Sequence, residues 1–134
     1  MKALDTPILL ALLRGSPPAR QLVRSLSGEE LATTEINMFE LELLARADRA
    51  PGLERRLAAL DRLRRKLTVI PIDERAVRHA FGRERAGATR PTWSPNQLIL
   101  GALVGSGCEE FYTTPKGPGR TGAHRLKLSI VQRT

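Results

Sequence analysis

The stretch KALDTPILLALLRG, residues 2–15, sets an aspartate and a proline in front of the six-residue apolar run 8–13. A secretory leader would need a longer apolar core and a small-x-small cleavage site, and this run meets Arg14 before any such site. A membrane span would need about 20 apolar residues, and no part of the chain approaches that. The reading that remains is a short strand, KAL, feeding a helix in which Thr6 caps, Pro7 fits the first turn and Gly15 ends the element. It leaves a carboxylate, Asp5, at the carboxyl end of the first strand of a soluble, cytoplasmic chain with no membrane segment.

The same alternation continues outward. Ser16 and Pro17 open a second helix, with Leu22, Val23 and Leu26 on one face; ELATT, 30–34, reads as a strand. EINMFELELLARADRA follows with Ile36, Phe39, Leu43 and Leu44 at helical spacing, and Pro51 and Gly52 break it. In PGLERRLAALDRLRRKL the leucines 53, 57, 60 and 67 form an apolar stripe, while most of the arginines crowd the other faces as a solvated surface would. TVIPI, 68–72, reads as a strand, Asp73 caps a helix running to about Arg85, and Ser94 with Pro95 opens another helix that lasts to Gly105. EEFYTT is a strand ending near Thr113, and RLKLSIVQ alternates like an edge strand. The order β-α-α-β-α-α-β-α-α-β-β predicts an α/β fold, a three-layer α/β/α sandwich with a mainly parallel central sheet, formed by residues 1–134 as one domain.

Composition narrows the class. With 134 residues the chain can bury a real core, and its single cysteine, Cys108, excludes an internal disulfide. The net charge of +8 is uneven: residues 68–134 hold 10 basic and 5 acidic groups, and from Phe111 onward there are five basic residues and no acid. Such a surface attracts polyanions, nucleic acid above all, although an arginine-rich composition that serves solubility would look the same.

In an open parallel sheet the working site lies beyond the carboxyl ends of the strands, so the polar residues at strand-to-helix junctions are the candidates. These are Asp5, Glu35, Glu40, Asn96 and Thr113. Each also has a plain structural role available: Asp5 as a cap for free helix amides, Glu40 as a solvated residue on an exposed helix edge, Asn96 as an ordinary first-turn residue.

Taken together they resemble the PIN domain family, in particular its short VapC-type toxins of prokaryotic toxin–antitoxin pairs. LDTPILLALL resembles the family's opening, a strand followed by Asp-Thr and an apolar helix, which implies that Asp5 is the first metal-binding acid. TTEINMFELELL resembles the second motif, a small polar residue, then five positions on an acid followed by Leu, which implies Glu40. PTWSPNQLILGAL resembles the third, an acid before two apolar positions and Ile-Ala-Ala, with Asn96 standing where the acid belongs. CEEFYTTPKG resembles the fourth, a strand ending in Thr, here Thr113, with Pro115 where an acid or amide commonly follows. The resemblance extends over nearly the whole chain.

It implies endoribonuclease chemistry dependent on Mg²⁺ or Mn²⁺, with Asp5, Glu40 and Asn96 as metal ligands and Thr113 as a hydroxyl orienting water or phosphate. It also implies a homodimer and an antitoxin partner. Hard cations choose carboxylate oxygens, so the neutral Asn96 makes a weakened site the expectation, and a catalytically degenerate RNA- or protein-binding module is the alternative. Glu35 lies about 140° round the helix from Glu40, so the two cannot share a face unless the helix start frays. The loop TTPKGPGRTGAHR offers Lys116, Arg120 and Arg125 for RNA phosphates, with His124 beside them, or is simply a connection; Trp93 can stack on a base or pack as a cap, and His79 reads as an ordinary helix histidine.

Overall fold

The computed structural model describes residues 1–81, 94–114 and 127–130. Within them the chain runs β1 (Lys2–Leu4), α1 (Thr6–Leu13), α2 (Pro17–Ser25), β2 (Leu31–Thr34), α3 (Glu35–Ala47), α4 (Leu53–Lys66), β3 (Thr68–Ile70), α5 (Glu74–Phe81), α6 (Pro95–Gly105), β4 (Glu110–Thr113) and β5 (Lys127–Ile130). The strands form one five-stranded sheet in the order β3-β2-β1-β4-β5, and every neighbouring pair is parallel. Among the described residues no helix is long and apolar enough to cross a membrane.

The strands are only three or four residues long, so strand alternation has few positions with which to serve two faces. Ala3, Ala32, Ile70 and Phe111 turn to one side and pack with Ala76, Ile99, Leu100, Ala102 and Leu103 of α5 and α6. Leu4 turns to the other side, with Ile8 and Leu9 of α1, Leu41 of α3 and Leu60 of α4. These two cores, one on each face, make the three-layer α/β/α arrangement expected from the element order; each fully buried Leu, Ile or Phe contributes roughly 1.5–3 kcal/mol.

Helices α5 and α6 approach closely because α6 presents Gly101, where a methyl group would collide with the Ala76 carbonyl oxygen and the Ala80 side chain. At the other end, Arg56 of α4 closes the corner after α3, its guanidinium donating to the carbonyls of Ala45, Asp48, Ala50 and Pro51. One arginine of the charged α4 surface is thus a structural clamp.

The inward face of α3 differs from the expected stripe. Phe39, Leu43 and Leu44 are 65%, 52% and 45% exposed, whereas Asn37, Met38, Leu41 and Ala45 are buried. Helix α3 has more apolar residues than one face can hold, and its N-terminal cap sets which of them turn inward. Thr34 accepts from Asn37 N while the Asn37 side chain accepts from Thr34 N, pinning Asn37 beneath the sheet edge.

Candidate active site

The chain travels outward from β1 to β3 and then returns to β4 on the other side of β1, so the carboxyl ends of β1 and β4 flank the point where the connections diverge. Asp5 ends β1 and Thr113 ends β4; the Thr113 hydroxyl donates to Asp5 Oδ2 at 2.6 Å. Both residues are buried, 3% and 2% exposed.

Asp5 does cap α1, accepting at Oδ1 from Thr6 N at 2.8 Å, so the cap is Asp5 itself and Thr6 is the first helical residue. Capping accounts for only one of its bonds. Oδ1 also accepts from Asn37 Nδ2 at 3.0 Å, and the same amide nitrogen donates to Thr6 Oγ1 at 3.0 Å. Three elements, α1, α3 and β4, thus fix one carboxylate. Burial pushes the Asp5 carboxyl above the ordinary carboxylate range, against the opposing pull of its bonds to Thr113, Thr6 and Asn37.

Glu40 stands one turn beyond Asn37 on α3 and is half-buried. Its carboxyl is also pushed up, first by burial and then by the negative charge of Asp5. The two carboxylates are therefore within Coulombic reach of each other, and no Lys or Arg among the described residues counters either. A pair of partly desolvated like charges with no cationic side chain is an arrangement that a bound cation would relieve.

Asn96 sits in the first turn of α6, behind a box in which Ser94 Oγ accepts from Gln97 N and Gln97 Oε1 accepts from Ser94 N; its side chain is exposed. Glu35 is aimed elsewhere: its Oε2 accepts from Ile72 N at 2.9 Å and ties the start of α3 to the segment after β3. It does not join the Asp5 and Glu40 pair, in keeping with the 140° estimate. Among the described residues no group of three His, Cys, Asp or Glu could together hold a metal ion. Lys116, Arg120, Arg125, His124, Pro115 and Trp93 lie outside the described residues.

The residue that sequence reading missed is Asn37. Fully buried and bonded on both sides of its amide, it is the polar centre between β2, α3 and Asp5. A signal was present, an amide at the third helical position after a Thr cap, but Glu or Gln is the residue usually sought there.

The PIN domain family model matches residues 2–90. No curated protein sequence matches the chain. Among solved structures, the chain is similar to VapBC2 from Rickettsia felis bound to a promoter DNA fragment, with TM-score 0.71, 14% identity, and 97% of this chain and 98% of that chain covered. It is similar also to DNA-bound VapBC from Salmonella typhimurium, with TM-score 0.70, 22% identity and 96% of each chain covered. FitAcB from Neisseria gonorrhoeae follows with TM-score 0.66, 18% identity, and 95% of this chain and 96% of that chain covered.

Proposed function

The chain belongs to the PIN domain family, and from that premise we propose that it is a metal-dependent endoribonuclease, the toxin partner of a toxin–antitoxin pair. The observation that carries this reading is the buried Asp5 beside the half-buried Glu40, each pushed toward protonation with no cationic side chain among the described residues to answer it. Oxygen donors alone suit a hard divalent cation, Mg²⁺ or Mn²⁺. The residues that would hold it are Asp5 and Glu40, with Asn96 offering an amide oxygen.

A cation bound there supplies Lewis acidity toward a phosphodiester and offsets charge that develops during an in-line displacement. The protein's part is placement. Thr113 and Asn37 hold Asp5 in a single orientation, Glu40 brings a second carboxylate from α3, and the start of α6 adds backbone amides with a positive helix end that favours an anionic substrate. RNA contacts are assigned to Lys116, Arg120 and Arg125, and the antitoxin or a second copy of the chain to apolar surface such as Phe39 and Leu43 on α3. Residues 1–134 act as one cytoplasmic domain on this reading.

Titrating the protein with Mn²⁺ and assaying single-stranded RNA cleavage tests it. The native chain should cleave weakly and prefer Mn²⁺, Asn96→Asp should raise both cation affinity and cleavage, and Asp5→Asn should abolish both. Absence of cation binding and of cleavage in native and Asn96→Asp proteins alike would overturn the reading. The second reading, a degenerate RNA- or protein-binding module, is favoured by the neutral, exposed Asn96 at the third position, and tight cation binding without cleavage in Asn96→Asp would select it.

A further inference from the structure

A carboxylate offers about four lone pairs, two on each oxygen. On Asp5, both lone pairs of Oδ1 are occupied, one by Thr6 N at 2.8 Å and one by Asn37 Nδ2 at 3.0 Å. On Oδ2 one is occupied by the Thr113 hydroxyl at 2.6 Å, which among the described residues leaves a single free position. The direction of the Asn37 bond is set by its neighbour Thr34. Thr34 N can only donate, so the atom facing it at 3.2 Å must be the amide oxygen, and the NH₂ must face Asp5. Thr34 Oγ1 reinforces this by accepting from Asn37 N and donating to Asn37 Oδ1 at 2.7 Å.

From this wiring we propose that Asn37 is an ion-selecting residue: by filling the last lone pair of Asp5 Oδ1 it confines Asp5 to one-oxygen coordination through Oδ2, which favours Mg²⁺ or Mn²⁺ over Ca²⁺. The inference rests on the reading above that Asp5 binds a divalent cation. Its chemical basis is general. Ca²⁺ takes 6–8 oxygens at about 2.3–2.6 Å and readily accepts both oxygens of one carboxylate, whereas Mg²⁺ requires near-octahedral geometry at about 2.0–2.1 Å. A carboxylate with one oxygen closed suits the second ion and denies the first a ligand. Asn37 is fully buried, so no solvent competes for its amide and the closed position stays closed. The residue touches no cation itself; it acts through Asp5 as a positioning residue.

The test is calorimetric titration with MnCl₂ and with CaCl₂ of the full chain, native and Asn96→Asp, each with and without Asn37→Ser. Serine is too short to reach Asp5, so Oδ1 regains a lone pair. Mn²⁺ affinity should fall about 10–100-fold, the usual effect of losing an outer-shell partner, while Ca²⁺ affinity holds or rises, shifting the preference toward Ca²⁺ by about tenfold or more. Thr113→Val is the contrast: it loosens Asp5 but leaves Oδ1 closed, so both affinities should change by the same factor. The inference is overturned if Asn37→Ser lowers both affinities equally or changes neither, or if Thr113→Val shifts the preference as far. Should Asn37→Ser fail to fold, as judged by circular dichroism, the native chain still decides: Ca²⁺ binding as tight as Mn²⁺ refutes selection at Asp5. If native and Asn96→Asp proteins bind neither ion, the metal reading itself falls and the inference with it.

Discussion

Helices α3 and α6 begin with the same local device and put it to different ends. Each has a hydroxyl cap, Thr34 or Ser94, and each has an amide three residues on, Asn37 or Gln97, that accepts from the cap's own backbone N–H. At α6 the exchange is half-exposed and, among the described residues, ends there, and the neighbouring Asn96 is exposed. At α3 the amide is fully buried and its nitrogen continues to Asp5 and Thr6. A capping box is thus a site component only where burial forces its remaining donors to find partners and a strand end supplies one. On the proposed reading the two boxes also divide the candidate site into a rigid half, built on Asp5, and a half in which Asn96 supplies no charge.

The sharpest way to break this contrast is to truncate both amides. Asn37→Ala should lower stability by about 2–4 kcal/mol, because it strands buried donors and removes a bond to a carboxylate. Gln97→Ala should lose only about 1 kcal/mol as an ordinary cap. Equal losses in urea denaturation would mean that the buried box is no more than a cap.

A smaller effect, of opposite sign, is expected at Asp5. Its carboxyl is raised chiefly by burial, so the folded state binds a proton more tightly than the unfolded chain does. Metal-free stability should therefore fall as pH climbs from the ordinary carboxylate range through the raised value. Asp5→Asn, whose amide can keep the Thr6 and Asn37 bonds at its oxygen and donate to Thr113, should be more stable than the native protein at pH 7 without metal and should flatten that part of the profile. A native profile that rises across this window would contradict the assigned cause. The least change in metal-free stability is expected at the open half. Asn96→Asp adds an exposed carboxylate to a helix N-terminus and should stabilise by only about 0.3–1 kcal/mol, measurable as a small shift in urea midpoint.

Much of the fold could be read before any coordinates. Cap-plus-proline pairs such as Ser94-Pro95 are local signals, and the three helix starts they announce, at Thr6, Pro17 and Pro95, fall at or next to the expected residue, since the restrictions on proline and the caps act at short range; the helix end expected near Arg85 lies outside the described residues. The rotation of α3 was not legible in the same way. With Ile36, Met38, Phe39, Leu41, Leu43 and Leu44 all apolar, periodicity alone cannot choose a face, and the choice is made by the tertiary bonds of Asn37. Asp5 and Thr113 could be named from their junctions, but the bond between them depends on the strand order, which no local pattern encodes.

That bond joins residues 108 positions apart. Strand β1 pairs with β2 near the start of the chain but meets β4 only at Glu110–Thr113. At about 5–20 residues per second of synthesis, the opening strand waits on the order of 5–20 s for its second neighbour. Asp5 lacks the Thr113 bond on every ribosome-bound chain shorter than 113 residues. A cell making this protein therefore has an interval, set by translation, in which the polypeptide exists but the Asp5–Thr113 bond of its candidate site does not.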